Sequence, residues 1–133
     1  MRLIQLMIVS MTNSPPNPSS SDCHGWIVLD KPVGISSAKA VAIVRKAFKG
    51  MKTGHAGTLD PLASGALPIA LGEATKTISY VMTAQNSYEF SLVWGAETQT
   101  DDTEGDVTQC SDIRPSEADI LAALPAFTGL IQQ

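Results

Sequence analysis

Twelve residues hold most of the chemistry this sequence can offer: Gly54-His55-Ala56-Gly57-Thr58-Leu59-Asp60-Pro61-Leu62-Ala63-Ser64-Gly65. Their three glycines let the backbone turn tightly and approach a ligand closely. Pro61 biases Asp60 away from helical backbone, which assigns this carboxylate to a loop. No Lys or Arg stands between Gly54 and Gly65, so the local sequence gives Asp60 no ion-pair partner. A lone carboxylate on a stiffened loop can form a turn, act as a general base or serve as a nucleophile. His55, taken by itself, is either a hydrogen-bonded scaffold residue or an imidazole that contacts a ligand.

Other groups carry weaker signals. Lys31 and Lys76 are candidate phosphate contacts, with ordinary scaffold or surface ion pairs as the alternative. Tyr88, two residues from Phe90, reads alone as a core aromatic. Asp102-x-Glu104-x-Asp106 has the look of a calcium loop, but the glycine and distant glutamate of an EF-hand do not follow in register. There is no P-loop, no Gly-x-Gly-x-x-Gly fingerprint and no His-Glu-x-x-His pair. No metal or nucleotide cofactor is implied. Cys23 and Cys110 form no Cys-x-x-Cys pair and read as free thiols in a reducing cytoplasm.

The elements that must position these groups follow from periodicity. Residues 1–24 form a leader expected to be disordered, rich in Pro, Ser and Asn from Thr12 to Asp22. Its short apolar run from Leu3 to Met11 lacks a cleavage site, and Met11 is an alternative start. Trp26-Ile27-Val28-Leu29 predicts a buried strand. Ser36 or Ser37 then caps a helix running to about Lys49 and stopping at Gly50. Its apolar stripe is Ala40, Val41, Val44, Ala47 and Phe48, with Lys39, Lys46 and Lys49 on another face. Ala66 to Leu71 predicts a strand in which Pro68 points to an edge or a bulge. Glu73 to Thr83 is helical by period, and Tyr88 to Trp94 predicts a strand. Thr98 to Asp106 is an acidic turn, Ser116-x-x-Asp119 a capping box, and Phe127 to Gln133 the approach to a further strand. Strands and helices without regular βαβ punctuation favour an α+β fold.

The chain has 133 residues, 44% of them hydrophobic, enough for one soluble domain, and no stretch approaches a bilayer span. The net charge of −4 hides an asymmetry. Residues 30–80 carry seven Lys or Arg against three acids, whereas residues 81–133 carry one Arg against nine. Basic charge thus gathers around the loop that holds Asp60, as on a polyanion-facing surface or on a solvated helix face.

Three strings in register resemble one family. Leu29-Asp30-Lys31-Pro32-x-Gly34, the Gly54–Gly65 loop and Leu71-Gly72-Glu73-Ala74-Thr75-Lys76 are similar to motifs of the TruB-type tRNA pseudouridine synthases, in order and spacing. The likeness runs from about Gly25 to Gln133 and covers roughly the first half of that family's catalytic domain. It implies a mixed, largely antiparallel sheet with flanking helices in residues 25–133. It implies an isomerase that extrudes a T-loop uridine and uses Asp60 as its nucleophile. By the same resemblance His55 contacts RNA beside the extruded base, and Tyr88 stands in the active site at the start of a strand. Lys31 and Lys76 join them as substrate contacts. The implied partner is the T-stem-loop of tRNA, with no DNA, no membrane and no cofactor, and the expected state is cytoplasmic and, for a complete chain, monomeric. Two departures stand out: Asn86 and Ser87 replace a basic residue before Tyr88, and Gln99 replaces an Asp before Asp102 and Gly105. The family's catalytic arginine has no counterpart, since Arg114 matches no such position. The alternative is a truncated, non-catalytic RNA-binding remnant.

Overall fold

Alternation along Gly25–Lys31 decides the first strand, β1, whose residues Ile27, Leu29 and Lys31 are buried while Val28 between them is exposed. A computed structural model describes residues 23–131. The chain divides into two compact units, Met1–Asn86 and Ser87–Gln133. The expected leader lies outside the described residues apart from Cys23 and His24, and the His24 ring accepts a bond from the Glu73 amide.

In the first unit, helix α1 spans Ser37–Ala47, β2 spans Thr53–His55 and β3 spans Gly65–Leu71. The strands form one antiparallel sheet in the order β1-β3-β2, with β1 paired to β3 from Gly25↔Leu71 to Lys31↔Gly65. Leu67, Ile69 and Leu71 of β3 join Ile27 and Leu29 in a layer against which α1 lays Ala40 and Val44. Each such aliphatic side chain contributes about 2 kcal/mol when fully buried, which sustains a three-residue strand such as β2 that could not stand alone. Ala47, expected in the helix stripe, is exposed. A 3₁₀ turn, Gly72–Thr77, and a short helix α2, Ile78–Met82, complete the unit and match the helical period from Glu73.

The ends of α1 follow from capping chemistry. Ser36 accepts from the Lys39 amide at 3.2 Å and is the N-cap. At the other end the Gly50 amide reaches the Arg45 carbonyl at 2.8 Å and the Lys49 amide reaches Lys46 at 3.2 Å. This is a Schellman pair in which Lys49, at φ 53°, rather than glycine takes the left-handed position.

Three expectations are corrected. Pro68 lies in the central strand of the sheet, not at an edge. Its carbonyl accepts from the Ala56 amide at 2.9 Å, but it has no amide to return, so the β2 ladder ends one residue earlier, at His55. Tyr88 to Trp94 forms no strand: these residues are exposed and pair with nothing among the described residues, and strand propensity cannot replace a neighbouring strand. Phe127 to Ile131 closes a 3₁₀ turn and bends instead of opening a strand, while Gln132 and Gln133 lie outside the described residues.

The second unit holds a hairpin, β4 Ala96–Thr98 and β5 Val107–Cys110, with a bulge between Glu97 and Thr98. Helix α3 spans Glu117–Ala123 and opens with the expected capping box, Ser116 with Asp119. Antiparallel sheet and helices in one chain make the α+β class expected from the sequence. Among the described residues no helix is long and apolar enough to cross a membrane.

Candidate active site

Asp60 sits where the sequence assigned it, on the loop between β2 and β3, exposed, with no ion pair among the described residues. What surrounds it is a backbone held at almost every step. The Ala63 amide bonds the Asp60 carbonyl at 3.0 Å, closing a β-turn with Pro61 at the position proline favours. The Pro61 carbonyl accepts from the Gly34 amide at 2.7 Å. The hydroxyl of Ser37 donates to the Leu59 carbonyl and accepts from the Leu59 amide, both at 2.9 Å. The Leu59 side chain packs against the core.

The last clamp is Lys31, and it corrects an expectation. Strand alternation carries Lys31 inward after Ile27 and Leu29, and it is fully buried at 0% exposure. Its Nζ donates to the carbonyls of Pro32 at 3.1 Å, Ile35 at 2.8 Å and Ala63 at 2.5 Å. An ammonium has three protons, and three carbonyls take them. Lys31 therefore braces the Asp60 loop from within and presents nothing to a phosphate.

The Lys31-Pro32-Val33-Gly34-Ile35-Ser36-Ser37 segment thus grips the loop at Leu59, Pro61 and Ala63. Gly34 is required for this, because its φ of 90° is costly for any side-chain-bearing residue. Sequence reasoning missed Ser37 as part of the grip. The signal was present: two adjacent serines stand where one N-cap suffices.

His55 ends β2 with its Nδ1 bonded to the Gly57 carbonyl, a tight turn made possible by Gly57 at φ 95°. A carbonyl only accepts, so Nδ1 carries the proton. Among the described residues nothing bonds Nε2, which keeps one nitrogen for a ligand. Lys76 is exposed and ion-paired with Glu73 one turn earlier, and that pairing holds the Glu73 carboxyl below its ordinary value. The Asp60 loop leaves β2 at His55, opposite Ile69, and enters β3 at Gly65, while Lys76 follows β3 beyond Leu71. Tyr88 is exposed in the second unit. Lys39, Arg45, Lys46, Lys49 and Lys52 are exposed and, among the described residues, in no ion pair.

The acidic turn of the second unit is built differently. Asp102 Oδ1 accepts from the Thr100 hydroxyl at 2.6 Å, the Glu104 amide at 2.8 Å and the Gly105 amide at 3.2 Å. The Thr100 bond, then the Glu104 bond, lowers the Asp102 pKa. Arg114 donates to the Ser111 and Ile113 carbonyls and has a local structural role.

A family model described as "TruB family pseudouridylate synthase (N terminal domain)" matches residues 45–133. Two curated relatives carry the name tRNA pseudouridine synthase B. One, from Bradyrhizobium diazoefficiens, is 58% identical over 112 residues, covering 84% of this chain and 32% of the relative. The other, from Nitrobacter winogradskyi, is 54% identical over 121 residues, covering 91% and 34%. The chain therefore spans about a third of the length of these relatives. A solved chain in a Cbf5-Nop10-Gar1 complex is 49% identical, covering 41% of this chain and 17% of that one, with a TM-score of 0.40.

Proposed function

This chain belongs to the TruB family of pseudouridylate synthases, and from that premise we propose that the protein isomerises a T-loop uridine of tRNA to pseudouridine, with Asp60 as nucleophile. The observation that carries the proposal is a carboxylate that pairs with nothing among the described residues, on a loop whose backbone is bonded at Leu59, Asp60, Pro61 and Ala63. Such a group meets its substrate already oriented, which is worth several kcal/mol of barrier in well-aligned reactions.

The chemistry needs no co-reactant. The bond from ribose C1′ to N1 breaks, the base turns, and C1′ joins C5 instead. The C5 hydrogen leaves to solvent as a proton and N1 takes one up. The Asp60 carboxylate bonds the uridine transiently as base and ribose are parted, and that bond breaks again, returning the free carboxylate, when the C1′–C5 product is released. The uridine must leave its stack to be reached, and the open Nε2 of His55 is suited to hold RNA beside it. Lys76 and the exposed cations of α1 neutralise phosphates without reading sequence. The protein acts on tRNA in the cytoplasm as a monomer, a compartment in keeping with the free thiols of Cys23 and Cys110.

The test is tritium release from 5-tritiated uridine in a T-stem-loop RNA by the full-length protein. Asp60→Ala should abolish release, and release surviving that change overturns the assignment. The exposed cations of α1 also favour a second reading, an RNA-binding remnant without catalysis. Salt-dependent binding by the unaltered protein with no release would select it.

A further inference from the structure

Ser37 opens α1 but does not cap it; Ser36 does. A serine in a first helical turn ordinarily bonds its own backbone neighbours. The Ser37 hydroxyl instead reaches 22 residues along the chain and occupies both polar groups of Leu59, the residue directly before Asp60. It does so at 2% exposure, where no water competes for those bonds. Leu59 is thereby fixed from two sides, its peptide groups by Ser37 and its side chain by the core. Beyond Asp60, Gly34 fixes Pro61.

We infer that Ser37 is a positioning residue for the reaction proposed above, on which the inference rests: its hydroxyl sets the direction in which the Asp60 carboxylate leaves the loop. Turning the Leu59 peptide swings the Asp60 Cα–Cβ bond with it, and a misplacement of about 1 Å at a reacting group can cost about a hundredfold in rate. Ser37 touches no substrate. It acts only through the backbone between Leu59 and Asp60.

The experiment compares Ser37→Ala with Ser36→Ala in the full-length protein. Both remove one hydroxyl from the start of the same helix, and both should lower the melting temperature. Only Ser37→Ala should lower kcat for tritium release, by about a hundredfold, with KM for the T-stem-loop RNA within about twofold of the unaltered protein. Equal losses of kcat in the two variants, or an unchanged kcat in Ser37→Ala, overturn the inference. Amide exchange at Ala63, bonded to the Asp60 carbonyl, supplies a readout without catalysis. It should accelerate at least about tenfold in Ser37→Ala and not in Ser36→Ala. If the unaltered protein releases no tritium, the proposed function fails and the positioning role in that reaction fails with it; Ala63 exchange then decides only whether Ser37 holds the Asp60 loop.

Discussion

Asp60 and Asp102 both sit on exposed loops, and they divide the labour of a loop in opposite ways. Asp102 builds its turn: one carboxylate oxygen gathers a hydroxyl and two amides, and the turn between β4 and β5 closes around it. The Asp60 turn is built by other residues. Lys31, Gly34 and Ser37 hold the backbone before and after it, and the carboxylate itself bonds nothing among the described residues. A carboxylate saturated by its own loop has little left to offer a ligand. One whose loop is assembled without it keeps all its acceptor capacity. The difference lies in the bonding and not in exposure, since both residues are exposed.

The comparison can be broken at either end. The largest effect is expected from Asp60→Asn, which should lower isomerisation at least about a thousandfold, as loss of a nucleophile does, while thermal unfolding stays unchanged. A marked loss of stability would mean that Asp60 does structural work after all. Next comes Lys31→Met. It deprives the carbonyls of Pro32, Ile35 and Ala63 of their shared donor and should cost about 3 kcal/mol in chemical denaturation, together with activity. If Lys31→Met unfolds no more readily than Asp60→Asn, the loop is not held as described.

The smallest effect concerns Asp102. Asp102→Ala should speed amide exchange at Glu104 and Gly105 about tenfold without disturbing the first unit. The same bonds make the hairpin acid-sensitive in a defined direction. Bonding lowers the Asp102 pKa in the folded chain below its ordinary 3.8. Its contribution to stability is therefore complete above the unfolded value and fades as pH falls through the lower folded one. Hairpin chemical shifts followed as pH falls should titrate below 3.8, and Asp102→Asn should remove the transition. A midpoint at or above 3.8 would contradict the bonding.

The sequence already contained the Asp60 loop, β1, α1 and the Ser116 capping box, because each rests on a local rule: glycine and proline spacing, alternation, the 3.6 period, a cap. What it hid was decided by partners distant in the chain. Lys31 reads from the sequence as a phosphate contact or a scaffold or surface ion pair, yet the alternation that places Ile27 and Leu29 inside continues through it, and the carbonyls of Pro32, Ile35 and Ala63 explain how an ammonium tolerates the interior. Ser37 reads locally as one of two candidate caps, since its partner Leu59 lies 22 residues away. Tyr88 to Trp94 has the composition of a strand, but composition does not supply a neighbour. Pro68 marked a ladder end, as proline does; the ladder that ended was that of β2, while β3 continued through the centre of the sheet.

The Lys31↔Gly65 rung, the last between β1 and β3, acts as a gauge for the whole site. On one side of that rung the chain runs out into the clamping segment; on the other it arrives from the Asp60 loop. Slipping β1 by one residue would turn Ile27, Leu29 and Lys31 to the opposite face together. The apolar layer and the brace beneath Asp60 would be lost in the same step. A misaligned sheet therefore cannot persist as a well-folded but incompetent isomer, and the hydrophobic pattern that selects the fold also proofreads the geometry of the carboxylate.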